Sequence, residues 1–224
     1  AANTTGIVNT AVGTGALAAN TTGGSNTAVG QDALVANTTG DNNTAVGRLT
    51  LDANTTGAQN TALGTLALGA STTGDRNVAV GYATLDANTT ASDNTAIGTA
   101  ALGVNTTGDR NVAIGNYSLD ANTVGDRNVA VGYAALTTYN PSTNEDSYNT
   151  AIGYSALYEN TTGNFNTAVG GLSLDANTTG SENTAIGKSA MTDNTTGGHN
   201  VAVGFEAAGA NTTGDYNVAV GRQA

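Results

Sequence analysis

Residues 26–42 read Asn26-Thr27-Ala28-Val29-Gly30-Gln31-Asp32-Ala33-Leu34-Val35-Ala36-Asn37-Thr38-Thr39-Gly40-Asp41-Asn42, and Asn43 then starts the same core again. That core, Asn-(Thr/Val)-Ala-(Val/Ile/Leu)-Gly, begins at Asn9, Asn26, Asn43, Asn60, Asn77, Asn94, Asn111 and Asn128. After a slip of four residues it resumes at Asn149, Asn166, Asn183, Asn200 and Asn217. Across these thirteen copies the Asn, the Ala and the Gly never vary. A strict 17-residue period marks a solenoid, in which each repeat is one coil that buries its apolar residues only by stacking on its neighbours. The expected fold is all-β, a parallel β-solenoid (β-roll) of thirteen 17-residue coils. It forms a single repeat region over residues 1–224 with an inserted loop at 137–148. At about 4.8 Å per layer such a stack is expected to reach on the order of 60 Å.

Within the coil, the run from Asn to Gly has the β-branched content and two-residue alternation of a short strand. In Asn77-Val78-Ala79-Val80-Gly81 the two valines point to one face and Ala79 to the other. The first of these positions is Thr in eight copies and Val in five, and the third is always Val, Ile or Leu. On hydrophobicity, that face is expected to form the core. The invariant Ala is then expected to face a second chain, because a solvated face would accept Ser, Lys or Gln in some copies. On this reading, Ala113→Glu breaks an oligomer.

The other columns read as corners and filling. The invariant Gly, as at Gly13, Gly30 and Gly47, is expected where the strand ends in positive φ or close backbone approach. A small residue followed by Leu, as in Ala33-Leu34 and Thr50-Leu51, is expected to fill the coil. Leu gives way to Met191 and Ala208 in late copies, where looser packing is expected. At the Asn-Thr-Thr-Gly corner, Asn and Thr bond their own turn and Gly takes the left-handed position. Asn in register on successive coils can also form amide ladders, which is preferred here to reading Asn-Thr-Thr as a glycosylation sequon. The inserted stretch Thr137–Tyr148 carries the single Pro, Pro141, with Tyr139, Glu145, Asp146 and Tyr148, and is expected to leave the coil as a surface loop.

Composition narrows the function classes. Acidic residues outnumber basic ones 17 to 6, for a net charge of −11, which disfavours nucleic acid and anionic membranes as partners. With no Cys there is no disulfide or thiolate metal site, and no stretch approaches the apolar length of a membrane span. Aromatics are 4% and Trp is absent, consistent with a thin core repeated many times. A single His199 cannot build a zinc site. No Ser/His/Asp set is present, and the carboxylates mostly sit in turns. The Asp-Arg turns at Asp75, Asp109 and Asp126 pair each acid with Arg76, Arg110 or Arg127, a poor calcium ligand set. Asp93 aligns between Arg76 and Arg110, one coil away on each side, as a small charge ladder. No enzymatic activity, cofactor or metal is expected.

The core Asn-Val-Ala-Val-Gly or Asn-Thr-Ala-Ile-Gly, followed by a turn and Ala-Leu, resembles the head repeats of trimeric autotransporter adhesins. Those carry an Asn-Ser-Val-Ala-Ile-Gly core and fold as parallel β-rolls in homotrimers. The fuller 17-residue form with Asn-Thr-Thr-Gly looks like repeats of phage tail fibres and bacterial surface fibres. The resemblance covers the whole chain, although the coil here is longer than in the adhesin heads. It implies a homotrimeric shaft or adhesive stalk of an extracellular cell-surface or virion fibre, taken from a longer protein and mediating attachment to a host glycan or protein. The alternative class is an ice-binding β-solenoid. That would want outward Thr pairs with one residue between them, whereas Thr38 and Thr39 are adjacent. Recognition is expected to use variable columns, and the candidate ligand contacts are Tyr82, Tyr133, Tyr154 and Phe205 after the core Gly, with Tyr139 and Tyr148 in the inserted stretch.

Overall fold

A computed structural model describes residues 3–144 and 146–224, in two compact units, 1–110 and 111–224. In the first unit each coil contributes one three-residue strand: β1 (Thr10–Val12), β2 (Thr27–Val29), β3 (Thr44–Val46), β4 (Thr61–Leu63), β5 (Val78–Val80) and β6 (Thr95–Ile97). The second contributes β7 (Val112–Ile114), β8 (Val129–Val131), β9 (Thr150–Ile152), β10 (Thr167–Val169), β11 (Thr184–Ile186), β12 (Val201–Val203) and β13 (Val218–Val220). Within each unit every strand pairs in parallel with the next, and equivalent residues face one another, as in Ala28↔Ala45 and Ala130↔Ala151. No helix occurs among the described residues. The chain is therefore an all-β parallel solenoid with one 17-residue coil per layer, as its period requires.

The two strand faces are the reverse of the hydrophobicity expectation. From β2 to β12 the invariant Ala is fully buried, while the residues on either side of it are half-buried or exposed. Ala113 thus lies inside its coil, and replacing it would disrupt the coil rather than a contact with another chain. The reason is volume. The interior of one coil already holds the Leu of that layer and two buried Asn, as with Leu34, Asn26 and Asn37, together with Ala28 and Ala33. At crystal-like packing density, only a methyl fits opposite them, and the larger Thr, Val and Ile turn outward.

Two Asn ladders carry the polar part of this core. The core Asn accepts the backbone N–H of the next copy: Asn43 N donates to Asn26 Oδ1 and Asn60 N to Asn43 Oδ1, each at 2.9 Å. Its Nδ2 reaches across the coil to a corner carbonyl, as from Asn26 to Gly40 O at 2.8 Å. In the second unit Asn166, Asn183 and Asn200 repeat the pattern at 3.0 Å. The corner Asn forms the second ladder, Asn37 Nδ2 donating to Asn20 Oδ1 at 2.9 Å and Asn54 Nδ2 to Asn37 Oδ1 at 2.8 Å. Thr hydroxyls run parallel to it, Thr38 Oγ1 donating to Thr55 O at 3.0 Å. Buried amides that lack such partners would be costly, so the ladders are what makes Asn admissible inside. The same burial leaves Asn37 no exposed amide for a glycan.

Backbone geometry follows the expectation at one Gly column and departs from it at the other. The core glycines have φ between 130° and 142°, and a Cβ on Gly30 would lie 2.2 Å from Gly47 O. The corner Gly is not left-handed. A Cβ on Gly40 would meet Gly57 O at 2.3 Å and Asn37 Oδ1 at 2.5 Å, so close approach is what favours glycine there. The left-handed corner position belongs to the residue before the core Asn, such as Asn42 (59°) or Arg76 (57°). Residues such as Asp32 (57°) and Leu34 (52°) are left-handed too. Each such residue costs about 1–2 kcal/mol. Stacked backbone bonds over-determine the conformation, as Leu34 N to Thr50 O at 3.1 Å.

The inserted stretch returns to the coil rather than standing off it throughout. Tyr139 is fully buried and occupies the corner Asn position, three residues after Leu136. Its hydroxyl lies 2.7 Å from Asn164 Oδ1. Pro141 and Ser147 are buried, Ser142 to Asn144 are exposed, and Glu145 lies outside the described residues. Arg127 pairs with Asp146 at the far side of the stretch. Met191 fills the Leu column fully buried, and a cleft opens beside Ala208.

Candidate functional site

With Ala inside, the outer face of the strands becomes the most regular surface of each unit. It presents two parallel columns, Thr or Val from the first strand position and Val, Ile or Leu from the third. In the first unit Leu63 is 47% exposed and Ile97 38%; in the second Ile114, Ile152 and Ile186 are 37–41% exposed. No strand residue is charged. An uncharged face of this regularity, with one aliphatic row beside a Thr/Val row, is a candidate interaction surface.

Aromatic side chains gather beside that face in the second unit. Directly after the core Gly, Tyr133 and Tyr154 fall on successive coils and stack with ring centroids 5.7 Å apart and planes 10° from parallel. The stack is held by Ser155 N donating to Tyr133 O at 3.0 Å, which keeps register across the inserted stretch. Tyr117 meets Tyr133 edge-on at 6.0 Å. Tyr133, Tyr154, Ser155, Tyr158, Leu172 and Asp175 line a shallow cleft of about 370 Å³. Asp175 Oδ1 accepts the Thr192 hydroxyl at 2.6 Å, which orients the carboxylate.

The other candidate contacts separate from this group. Tyr82 is 58% exposed in the first unit, with Thr65 and Thr99 at its register in the adjoining coils. Phe205 lies between two cations, Lys188 Nζ 5.8 Å and Arg222 Cζ 5.5 Å from its ring centroid. Tyr148 belongs to a second column, the residues preceding the core Asn. It stacks on Phe165 at 5.8 Å beneath Arg127 at 5.6 Å. Tyr139 is withdrawn as a ligand contact, because it is buried as a packing residue.

Tyr117, Tyr158, Phe165, Tyr216 and Asp175 were missed by the sequence reading. Counting back one residue from Asn149, Asn166 and Asn217 would have placed Tyr148, Phe165 and Tyr216 in a single column. His199 shares that column, stacks on Tyr216 at 4.7 Å and sits 3.1 Å from Glu182.

Charges elsewhere form short ladders. Arg76 donates to Asp93 through Nε at 2.6 Å and Nη2 at 3.0 Å, and this bidentate contact holds the Asp93 carboxyl below its ordinary range. Asp52 and Asp86, two coils apart and half-buried, are both pushed up, by burial first and, at Asp52, also by the charge of Asp86. No group of three metal-ligating side chains occurs among the described residues. Comparison of the chain with protein-family models, curated proteins and solved structures gives no match.

Proposed function

We propose that the chain is a shaft segment of an extracellular bacterial or phage fibre, assembled as a parallel homotrimer and serving surface attachment rather than catalysis. The observation that carries this reading is the outward aliphatic face. Thr/Val and Val/Ile/Leu columns repeat at every coil of each unit without a charge. One such chain buries chiefly Ala, Leu and hydrogen-bonded Asn per coil, so a second hydrophobic contact between chains would add the burial a thin core lacks. A repeating, in-register face suits a partner with the same repeat, which a second copy has. Low charge, a cysteine-free composition and the likeness of the repeat to adhesin heads and fibre shafts support the extracellular setting. Val131→Lys with Ile152→Lys places charges on this face without touching the coil interior. The expected outcome is loss of chemical cross-linking to trimer with an unchanged far-ultraviolet circular dichroism spectrum. Cross-linking that persists would remove this face from the assembly.

The same face supports a second reading, ice binding. Its outward residues are separated by one residue, as Thr27 and Val29 are, which Thr38 and Thr39 do not provide. Thermal hysteresis in a monomeric sample would favour that reading; its absence in a trimeric one favours the fibre.

A further inference from the structure

We propose that the cleft beneath Tyr154 is a binding site for a neutral pyranose sugar. In the column after the core Gly, the stacked pair Tyr133–Tyr154 is followed one coil later by Gly171. Nothing in the backbone demands a glycine there. Its φ lies outside the left-handed region, and an added Cβ would meet only the Tyr154 carbonyl oxygen, at 3.9 Å. Gly171 therefore carries no side chain at the register position that a third ring would occupy, and its neighbour Leu172 lines the cleft with Tyr154, a residue 60% exposed.

The walls of the cleft suit a sugar. Tyr158 and Leu172 supply apolar sides, and Ser155 and Asp175 supply polar ones. The Thr192 hydroxyl donates to Asp175 Oδ1 and fixes the carboxylate, which lines the cleft and whose Oδ2 accepts no hydrogen bond among the described residues. A pyranose offers a C–H face for an aromatic platform and hydroxyls for a carboxylate, whose bonds are among the stronger neutral-to-charged ones. At about 370 Å³ the cleft falls at the small end of ligand sites. The carboxylate and the net charge of −11 disfavour an anionic sugar. A quaternary ammonium would want several ring faces around it, whereas Tyr133 and Tyr154 turn faces to each other and offer a platform rather than a cage. The proposal rests on the fibre reading only for its biological use, since copies on one fibre would bind a glycan surface multivalently.

Saturation-transfer NMR on the full chain tests it, with the methyl glycosides of glucose, galactose, mannose and N-acetylglucosamine at millimolar concentration as probes. Transfer to the ring C–H protons of at least one glycoside is expected, lost in Gly171→Tyr and in Tyr154→Ala, and unchanged in Phe205→Ala. Asp175→Asn should lower affinity about tenfold, as loss of one charge-assisted bond implies. No transfer from any glycoside, or transfer surviving both Gly171→Tyr and Tyr154→Ala, would overturn the proposal, as would preferential binding of tetramethylammonium. Circular dichroism checks that the variants fold; if Gly171→Tyr does not, Tyr154→Ala decides. Sedimentation of the same samples reports separately on trimer formation, so failure of the sugar site and failure of the fibre reading are distinguishable.

Discussion

The backbone N–H of Asn60 donates to the side-chain oxygen of Asn43, one coil earlier, at 2.9 Å. Asn60 then offers its own Oδ1 to Asn77 N at 2.9 Å and its Nδ2 to Gly74 O at 2.7 Å. Through its backbone N–H and its side chain one residue thus ties three coils together, and the side chain needs both an acceptor and a donor. Asn60→Asp keeps the shape, removes the donor and buries a carboxylate. We expect a loss of about 2–4 kcal/mol in urea unfolding, from the unmet Gly74 carbonyl and the buried charge. A loss within experimental error would mean that the ladder contributes little.

In the first unit the corner ladder is interrupted at Ser71. Where the other coils of that stretch carry Asn, the shorter serine leaves Asn54 Oδ1 and its own Oγ buried without a partner. Ser71→Asn is expected to supply the missing donor to Asn54 Oδ1, repeating one coil on the bond that Asn54 Nδ2 makes to Asn37 Oδ1 at 2.8 Å. The gain should be about 1–2 kcal/mol, the cost of leaving such a group unsatisfied. Destabilisation would place a bound water or a tighter packing constraint at Ser71.

Carboxylates in the first unit should pull the pH dependence in opposite directions. Asp86 has its folded pKa raised by burial, so its ionised form costs stability at neutral pH, and that cost is relieved as pH falls through the folded pKa. Asp86→Asn is therefore expected to raise the melting temperature at pH 7, with the difference vanishing below the ordinary value of 3.8. Asp93 is depressed by Arg76 and contributes stability above its ordinary value, lost as pH falls through the depressed one. Asp93→Asn should lower the melting temperature at pH 7 and have no effect at the acid limit. Parallel pH curves for both variants and the parent chain would refute the assignment.

The inward methyl predicts a sharp contrast between neighbours. Ala168 is fully buried and Val169 points outward. Ala168→Val should cost about 1–3 kcal/mol by overpacking. In the monomeric Val131→Lys, Ile152→Lys background, Val169→Thr should stay within about 0.5 kcal/mol, as a surface substitution does. Equal effects would put both residues in the same environment.

The period, the strands, the parallel in-register stacking and the Asn ladders were legible because a 17-residue repeat admits few ways to pair like with like. Which strand face lies inside was not. Hydrophobicity favours burying Val78 and Val80 over Ala79, but a coil that must also hold Leu85 and two Asn has room only for the methyl. The invariance of Ala was the better signal, since a fixed small residue marks a volume limit. The corner glycines misled in a similar way: Gly40 serves close approach, while the left-handed turn falls on Asn42, a column of mixed residues with no glycine signature. Tyr133 and Tyr154 were legible from register alone. The vacancy at Gly171 was not, because a glycine that opens space reads in a sequence like a glycine that bends a chain.

The central claim is that the outward aliphatic columns join three chains into a fibre shaft, and sedimentation equilibrium of the intact chain in native buffer tests it most directly. The account predicts a single species at three times the 21.9 kDa chain mass, falling to the chain mass in the Val131→Lys, Ile152→Lys variant. A parent chain that sediments at 21.9 kDa across the full concentration range would contradict it.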